Sequence, residues 1–366
     1  MSEPMRILNV FMVLDRGGAE TFVMNVYRQI DRAKVQFDFL VHGDKVGSYE
    51  KEITRLGGRI YRLPKMTEVY SYKQSVRDFF DEHPHYKIIH SHASELGLLI
   101  FKEAKKRGIP YRICHAHSAP KGIGIKAPIR YLFKKRMVHY SNVFLACSQS
   151  AGVWQFGKRN EFKIIKNGIF VNDFTFDVKV RNEIRKELKI ENKLVIGHVG
   201  RFEKPKNHIF LVNIFENVLK YSDAVLLLIG DGSLKSEIER IVIDKGIVDK
   251  VIFLGAQRQV APYLNAMDCF VFPSLFEGLG IVLIEAQANG LKCFISDTIP
   301  EETNISTLTK RLSLSASTTE WAKAIVNNCF SVSGRDEFAN QVIVSGYDIK
   351  ETVEQLQDLY LSLYRS

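Results

Sequence analysis

The stretch whose reading decides the fold runs from Asp268 to Glu302, DCFVFPSLFEGLGIVLIEAQANGLKCFISDTIPEE. Its first apolar run, Cys269-Phe270-Val271-Phe272, is closed by Pro273 and has the length and β-rich make-up of a buried strand. A loop follows from Pro273 to Gly280. From Ile281 to Ala288 an apolar, alanine-containing pattern resumes as a helix whose N-terminus faces that loop. Gly278 and Gly280 leave backbone amides uncovered there, which suits an anionic ligand. Glu277 lies on the loop and Glu285, eight positions on, lies a turn or two inside the helix. A phosphate at the amides would have a carboxylate on either side for sugar or ribose hydroxyls. Two glutamates at such a spacing are by themselves usually a solvated face; the strand before them, the glycines and the apolar strand after them give the pair its meaning.

Working outward, LVIGHVGRFEKPKNH (194–208) reads as a strand, a Gly200-Arg201 turn and Lys206 before the next helix. Arg201 and Lys206 could clamp a diphosphate without metal, the arginine as a fork and the lysine as a point charge. No Asp-x-Asp pair follows a strand to hold a divalent ion. AVLLLIGDGSLKSEIERIV (224–242) is strand, turn and helix, with Gly230 and Gly232 opening the helix N-terminus. KVIFLGAQRQ (250–259) supplies a further strand and a loop carrying Ala256 and Gln257. RNEIRKELKI (181–190) reads as a helix with charge on one side. Beyond Glu302 the chain is Ser/Thr-rich and offers no element until helices around Glu320–Cys329 and Asp348–Tyr364.

The first half repeats the alternation. MRILNVFMVL (5–14) is a strand followed by a turn at Gly17-Gly18-Ala19-Glu20 and then a helix. The turn is not G-x-G-x-x-G, so a dinucleotide fingerprint is not supported. Gly17 and Gly18 allow a close backbone approach, or simply a tight turn. Strands at 37–43, 59–64, 87–92 and 111–118 alternate with helices, as in a parallel α/β sheet. His90 and His92 close one of these strands, and His115 and His117 stand at the carboxyl end of the next, where open α/β folds place ligand groups. Side chains at i and i+2 share a face, so alternation does not separate His115 from His117; the end position favours His117. The segment 121–140 carries Arg130, Lys134, Lys135 and Arg136 beside Tyr131, Leu132, Phe133 and Met137. It reads equally as a helix lying on anionic lipid and as an amphipathic helix with a charged outer face.

Composition bounds the rest. A chain of 366 residues is too long for one ordinary core and predicts two domains. No apolar run reaches the roughly 18 residues that span a bilayer, and the N-terminal stretch lacks the features of a secretory signal, so a cytoplasmic protein is expected. Five scattered cysteines without paired spacing predict reduced core thiols. The net charge is +10 overall, but residues 1–176 hold 29 Lys and Arg against 16 Asp and Glu. That asymmetry points to an anionic partner for the first half, such as a membrane surface or a lipid phosphate, while no nucleic-acid motif accompanies it.

PSLFEGLGIVLIEAQANGLKCFISD resembles the Glu-x7-Glu signature of the family 4 retaining glycosyltransferases, and the likeness extends over nearly the whole chain. The resemblance implies the GT-B fold: two Rossmann-like parallel-sheet α/β domains facing a cleft, with a C-terminal helix crossing back to the first domain. The domains are then 1–168, joined by about 348–366, on the acceptor side, and 169–347 on the nucleotide-sugar side. It implies a retaining transfer of sugar from a nucleotide diphosphate sugar, a UDP-sugar, to a hydroxyl of a glycan, with no metal or other cofactor. A lipid-linked acceptor in bacterial exopolysaccharide or capsule synthesis follows from the basic first half taken with the family. By resemblance, His117, Arg201, Lys206 and Glu277 are the catalytic residues. Gly17, Gly18, Gly230, Ala256, Gln257, Gly278, Leu279, Gly280 and Glu285 join Arg201, Lys206 and Glu277 in binding the donor. In the family's pattern Glu277 orients the transferred sugar, Glu285 holds ribose hydroxyls, and Ala256 and Gln257 line the base. The alternatives are a nucleotide-sugar epimerase of related architecture, which needs no acceptor, and a non-catalytic, membrane-associated sugar-nucleotide binder.

Overall fold

The computed structural model describes residues 3–15, 17–117, 127–329 and 334–365, with the side chains of residues 94, 95 and 127–130 outside the description. The chain divides into two compact units, one of residues 1–168 with 349–366 and one of Ile169–Asp348. Each is a parallel α/β unit.

The first unit holds seven strands: β1 (Met5–Val10), β2 (Val35–His42), β3 (Ile60–Leu63), β4 (Ile88–Ser91), β5 (Tyr111–Ala116), β6 (Val143–Ala146) and β7 (Lys163–Ile164). They run in the order β3-β2-β1-β4-β5-β6-β7, all parallel. Strands covered on both faces should be apolar without interruption, and β1, MRILNV, and β2, VQFDFLVH, are buried almost throughout. The one acid in the middle of β2, Asp38, is fully buried and bound by Arg6 through two 2.6 Å contacts and by the Tyr86 hydroxyl at 2.7 Å. A buried charge needs such partners. The helix Ile349–Arg365 belongs to this unit. Its Tyr360 is buried edge-on against Phe37, and its Gln357 accepts from the Asp31 amide at 3.1 Å.

The second unit holds β8 (Leu194–Val199), β9 (Ala224–Ile229), β10 (Val251–Phe253), β11 (Cys269–Phe272), β12 (Lys292–Ser296) and β13 (Thr309–Leu312), in the order β10-β9-β8-β11-β12-β13. Its sheet separates two apolar layers, one built on Leu211, Phe215 and Trp321, the other on Phe270, Phe272, Leu283 and Ile295. The sequence reading missed β13. The segment is short, carries Lys310 and Arg311, and pairs only with β12 at the sheet edge, so it has no run of apolar residues to announce it. The helix at 181–190 also differs from its reading. It spans Val178–Glu187, and Arg181 and Arg185 are buried, both bound to Asp268 at the start of β11, Arg185 at 2.6 Å. Its charge faces inward as well as out.

All five cysteines are buried, and none is in a disulfide. Among the described residues no helix is long and apolar enough to cross a membrane.

Candidate active site

In open parallel sheets, ligand groups collect beyond the carboxyl ends of the strands, where the strand order reverses. In the second unit that reversal lies between β8 and β11. The loops leaving these two strands carry Arg201 and Lys206, and Glu277 to Gly280. They are laced together: the Leu275 amide donates to the Pro205 carbonyl at 2.8 Å, and Asn207 Nδ2 donates to the Pro273 carbonyl at 3.2 Å. Across this seam Lys206 Nζ meets Glu277 Oε1 at 2.6 Å, both side chains largely buried, with the ammonium 4.7 Å from the Phe272 ring centroid. The ion pair was not foreseen from the sequence, which gave the two residues separate tasks. Arg201 is exposed, and its side chain makes no hydrogen bond or ion pair among the described residues. A fixed cation, Lys206, and a free one, Arg201, therefore stand on the same loop, with Lys204 exposed between them.

The helix Ile281–Ala288 starts at Gly280, whose φ of 81° is the left-handed conformation that glycine adopts without strain, and no side chain caps it. Its first amides are the donors that a helix leaves for an anion. Glu285 is the fifth residue of this helix. It keeps a partly exposed face, yet burial pushes its carboxyl up to about 7. Leu279 is buried, and Gly278 lies between it and Glu277. Gly230, after β9, is held by a close approach: a Cβ there would stand 2.0 Å from the Gly200 carbonyl oxygen. Ala256 and Gln257 follow β10, and Gln257 Nε2 donates back to the Leu254 carbonyl at 2.5 Å.

Two histidines beneath this loop were not singled out from the sequence. His198 is buried on β8 and donates through Nδ1 to the Val271 carbonyl at 2.8 Å, while His208 opens the following helix and stacks on Phe202. Among the described residues, His198 Nε2 and both ring nitrogens of His208 are buried without hydrogen-bond partners. Burial, with Lys206 nearby, lowers the His208 imidazole to about 4. Single histidines inside apolar runs give no sequence signal that they lie under a cation-bearing loop.

In the first unit the reversal lies between β1 and β4. Gly17 and Gly18 lead into the helix Gly18–Gln29. A Cβ on Gly17 would stand 2.2 Å from Glu20 Oε2, whereas at Gly18 it would meet nothing within 4 Å. Four histidines gather at the ends of β4 and β5. His90 Nε2 faces His115 Nδ1 at 3.1 Å, His92 Nδ1 faces His117 Nε2 at 2.8 Å, and His90 Nδ1 faces the Tyr360 hydroxyl at 2.7 Å. His115 is fully buried and His117 partly exposed, one residue past the strand. His90, His92 and His115 each offer a ring nitrogen within 4.8 Å of the others, close enough to gather a metal ion. The signal that could have marked the cluster is the repeated His-x-His at the ends of two adjacent parallel strands.

Of the basic segment, residues 121–126 and the Arg130 side chain lie outside the described residues. The helix Ala127–Tyr140 turns Lys134 inward, where it donates to the Trp154 carbonyl at 2.6 Å, and buries Met137. Tyr131, Leu132 and Phe133 are exposed by 54%, 49% and 37%, with Lys135 over the Tyr131 ring.

Comparison with known proteins identifies the chain's family. The family profile "Glycosyl transferases group 1" matches residues 180–325, and "Glycosyl transferase 4-like domain" matches 17–152. The chain is 34% identical to the putative glycosyltransferase EpsF of Bacillus subtilis (strain 168), over 98% of this chain and 97% of that one. It is 23% identical to the capsular polysaccharide biosynthesis glycosyltransferase CapH of Staphylococcus aureus, over 98% and 99%. It is 21% identical to the UDP-Gal:alpha-D-GlcNAc-diphosphoundecaprenol alpha-1,3-galactosyltransferase of Escherichia coli, over 76% of each. Among solved structures, Anabaena Alr3699/HepE in complex with UDP-glucose superposes with a TM-score of 0.77 at 18% identity, over 98% of this chain and 99% of that one, a likeness of fold.

Proposed function

The chain belongs to the group 1 and 4-like glycosyltransferases, and from that membership we propose that it moves a sugar from a UDP-sugar to a hydroxyl of a lipid-linked glycan during surface polysaccharide synthesis, with retention and without a metal ion. The observation that carries the donor side is the Lys206–Glu277 pair at an uncapped helix N-terminus, with Arg201 free beside it. Arg201 and Lys206 take the diphosphate, and Glu277, held by Lys206, orients the transferred sugar. Glu285 accepts from ribose hydroxyls. As the glycosyl bond breaks, negative charge grows on the leaving diphosphate oxygen. Stabilising that charge with preplaced donors is the largest contribution the protein makes. Two cations and a helix N-terminus do this without a divalent ion.

The E. coli relative named for UDP-Gal and a diphosphoundecaprenol-linked acceptor, and the Anabaena structure holding UDP-glucose, support this choice of donor and acceptor. The exposed Tyr131-Leu132-Phe133 run beside Lys135 and Arg136 supports a place at an anionic membrane face on the cytoplasmic side.

The test is turnover across a panel of UDP-sugars in EDTA, with and without a lipid-diphosphate-linked glycan extract. Acceptor-dependent release of UDP from one donor, unaffected by EDTA, is the expected result. An epimerised donor formed with no acceptor would replace the transferase by an epimerase. Binding without turnover would leave a sugar-nucleotide binder.

A further inference from the structure

The strand β11 ends on an aromatic ring that touches both anion-binding parts of the second unit. Phe272 is the last residue of β11 and has no exposed surface. Phe270 and His198 each stack on it with centroids 5.7 Å away, so the ring has little freedom to turn. Lys206 Nζ stands over its face, 4.7 Å from the centroid. Its edge meets the start of the helix Ile281–Ala288: a Cβ on Gly280 would lie 3.2 Å from Phe272 Cε1 and 3.8 Å from Glu277 Cγ. The stem of Lys206 runs along a second bare stretch of backbone, since a Cβ on Gly200 would lie 3.2 Å from both Cδ and Cε of the lysine.

An apolar side chain at the end of a buried strand is ordinarily packing and nothing more, and a leucine would fill that place. What only an aromatic ring adds is a face of negative potential. An ammonium has three N–H donors. Among the described residues the Lys206 ammonium makes one hydrogen bond, to Glu277 Oε1 at 2.6 Å, and the Phe272 face takes up a second direction. The lysine side chain keeps 18% of its surface exposed, which leaves the third donor for a ligand. A lysine tied only to Glu277 could swing about that single contact. Tied on two sides, it keeps its aim.

We infer that Phe272 is a positioning residue for the transferase: its ring face holds the Lys206 ammonium, and its edge spaces that ammonium from the uncapped N-terminus of the helix Ile281–Ala288, so that both meet one diphosphate. Every residue in this arrangement belongs to the second unit. The diphosphate as ligand rests on the sugar-nucleotide reading, whereas the hold on the lysine does not.

Two measurements test this on the full chain. In spectra of 13C-lysine-labelled protein without ligand, the Lys206 ε-methylene protons, assigned with Lys206→Arg, should lie upfield of those of exposed lysines and move back in Phe272→Leu. An ordinary shift in wild type, or a displaced one that Phe272→Leu leaves in place, would overturn the hold. Replacing Phe272 by 4-fluoro-, 3,5-difluoro- and 3,4,5-trifluorophenylalanine keeps the ring and nearly its volume while draining its face of negative potential. UDP affinity should then fall stepwise along the series, about threefold to tenfold in all, because the held ammonium becomes a smaller fraction of the population. The same series in Lys206→Ala should be flat, since there is no ammonium to hold. A merely structural ring would weaken UDP binding equally in both backgrounds or in neither, and either result would contradict the proposal. If wild type binds no UDP, the functional reading fails and the ligand role of Phe272 with it, while the lysine spectrum still decides the hold.

Discussion

Glu285 gives the most direct pH signature. Its carboxyl is raised to about 7 by burial, so the native chain keeps a proton that the unfolded chain gives up near the usual glutamate value of about 4.3. Between those values the native state binds more protons, and stability from this group falls as pH rises through that window and is flat above it. Glu285→Gln removes the effect. Its Tm, relative to wild type, should therefore rise between pH 5 and pH 7.5. A carboxylate that grips ribose hydroxyls must be ionised, so UDP affinity of the wild type should increase across pH 6 to 8 and that of Glu285→Gln should not. Lys206→Ala leaves Glu277 without its 2.6 Å partner and, in the proposed mechanism, takes a cation from the leaving group. The turnover number should fall about 10²- to 10³-fold, as for loss of one preplaced donor. Lys206→Arg should recover part of it, since the charge returns in a different shape. A Lys206→Ala enzyme with unchanged turnover would remove this lysine from the chemistry.

Asp268 joins two elements that the chain keeps far apart. It receives Arg181 and Arg185 from the helix Val178–Glu187, and the Val195 amide of β8 at 2.7 Å. Asp268→Ala would leave two buried guanidinium groups without a counter-charge and should cost about 3–5 kcal/mol of stability, read by urea unfolding. A loss below about 1 kcal/mol would mean that the carbonyls around Arg181 suffice alone. No sequence signal could have reported this pair, because a polar helix face reads as solvated whatever it meets in space. By contrast β11 and the helix Ile281–Ala288 have the bounds that the apolar run, Pro273 and the glycines imply. Local pattern decides where such elements begin and end. It does not decide the company they keep, and so the Lys206–Glu277 pair, the edge strand β13 and the linked histidines emerge only from the folded chain.

Two parallel sheets were legible from the strand-helix alternation, because fully covered parallel strands are written as apolar runs, whereas the strand order and the point where it reverses came from the structure. The histidine network was not, since strand alternation does not say which rings meet across neighbouring strands. The proposed donor site puts Arg201 and Lys206 on one loop of the second unit, and the measurement that tests it most directly is calorimetric titration of UDP, in EDTA, into the wild-type protein, Lys206→Ala and Arg201→Ala. Binding to wild type in the micromolar range, weakened about tenfold or more in each variant, as expected for losing a charge-assisted contact, is the predicted result. No binding to wild type, binding that EDTA abolishes, or equal affinity in all three proteins would contradict it.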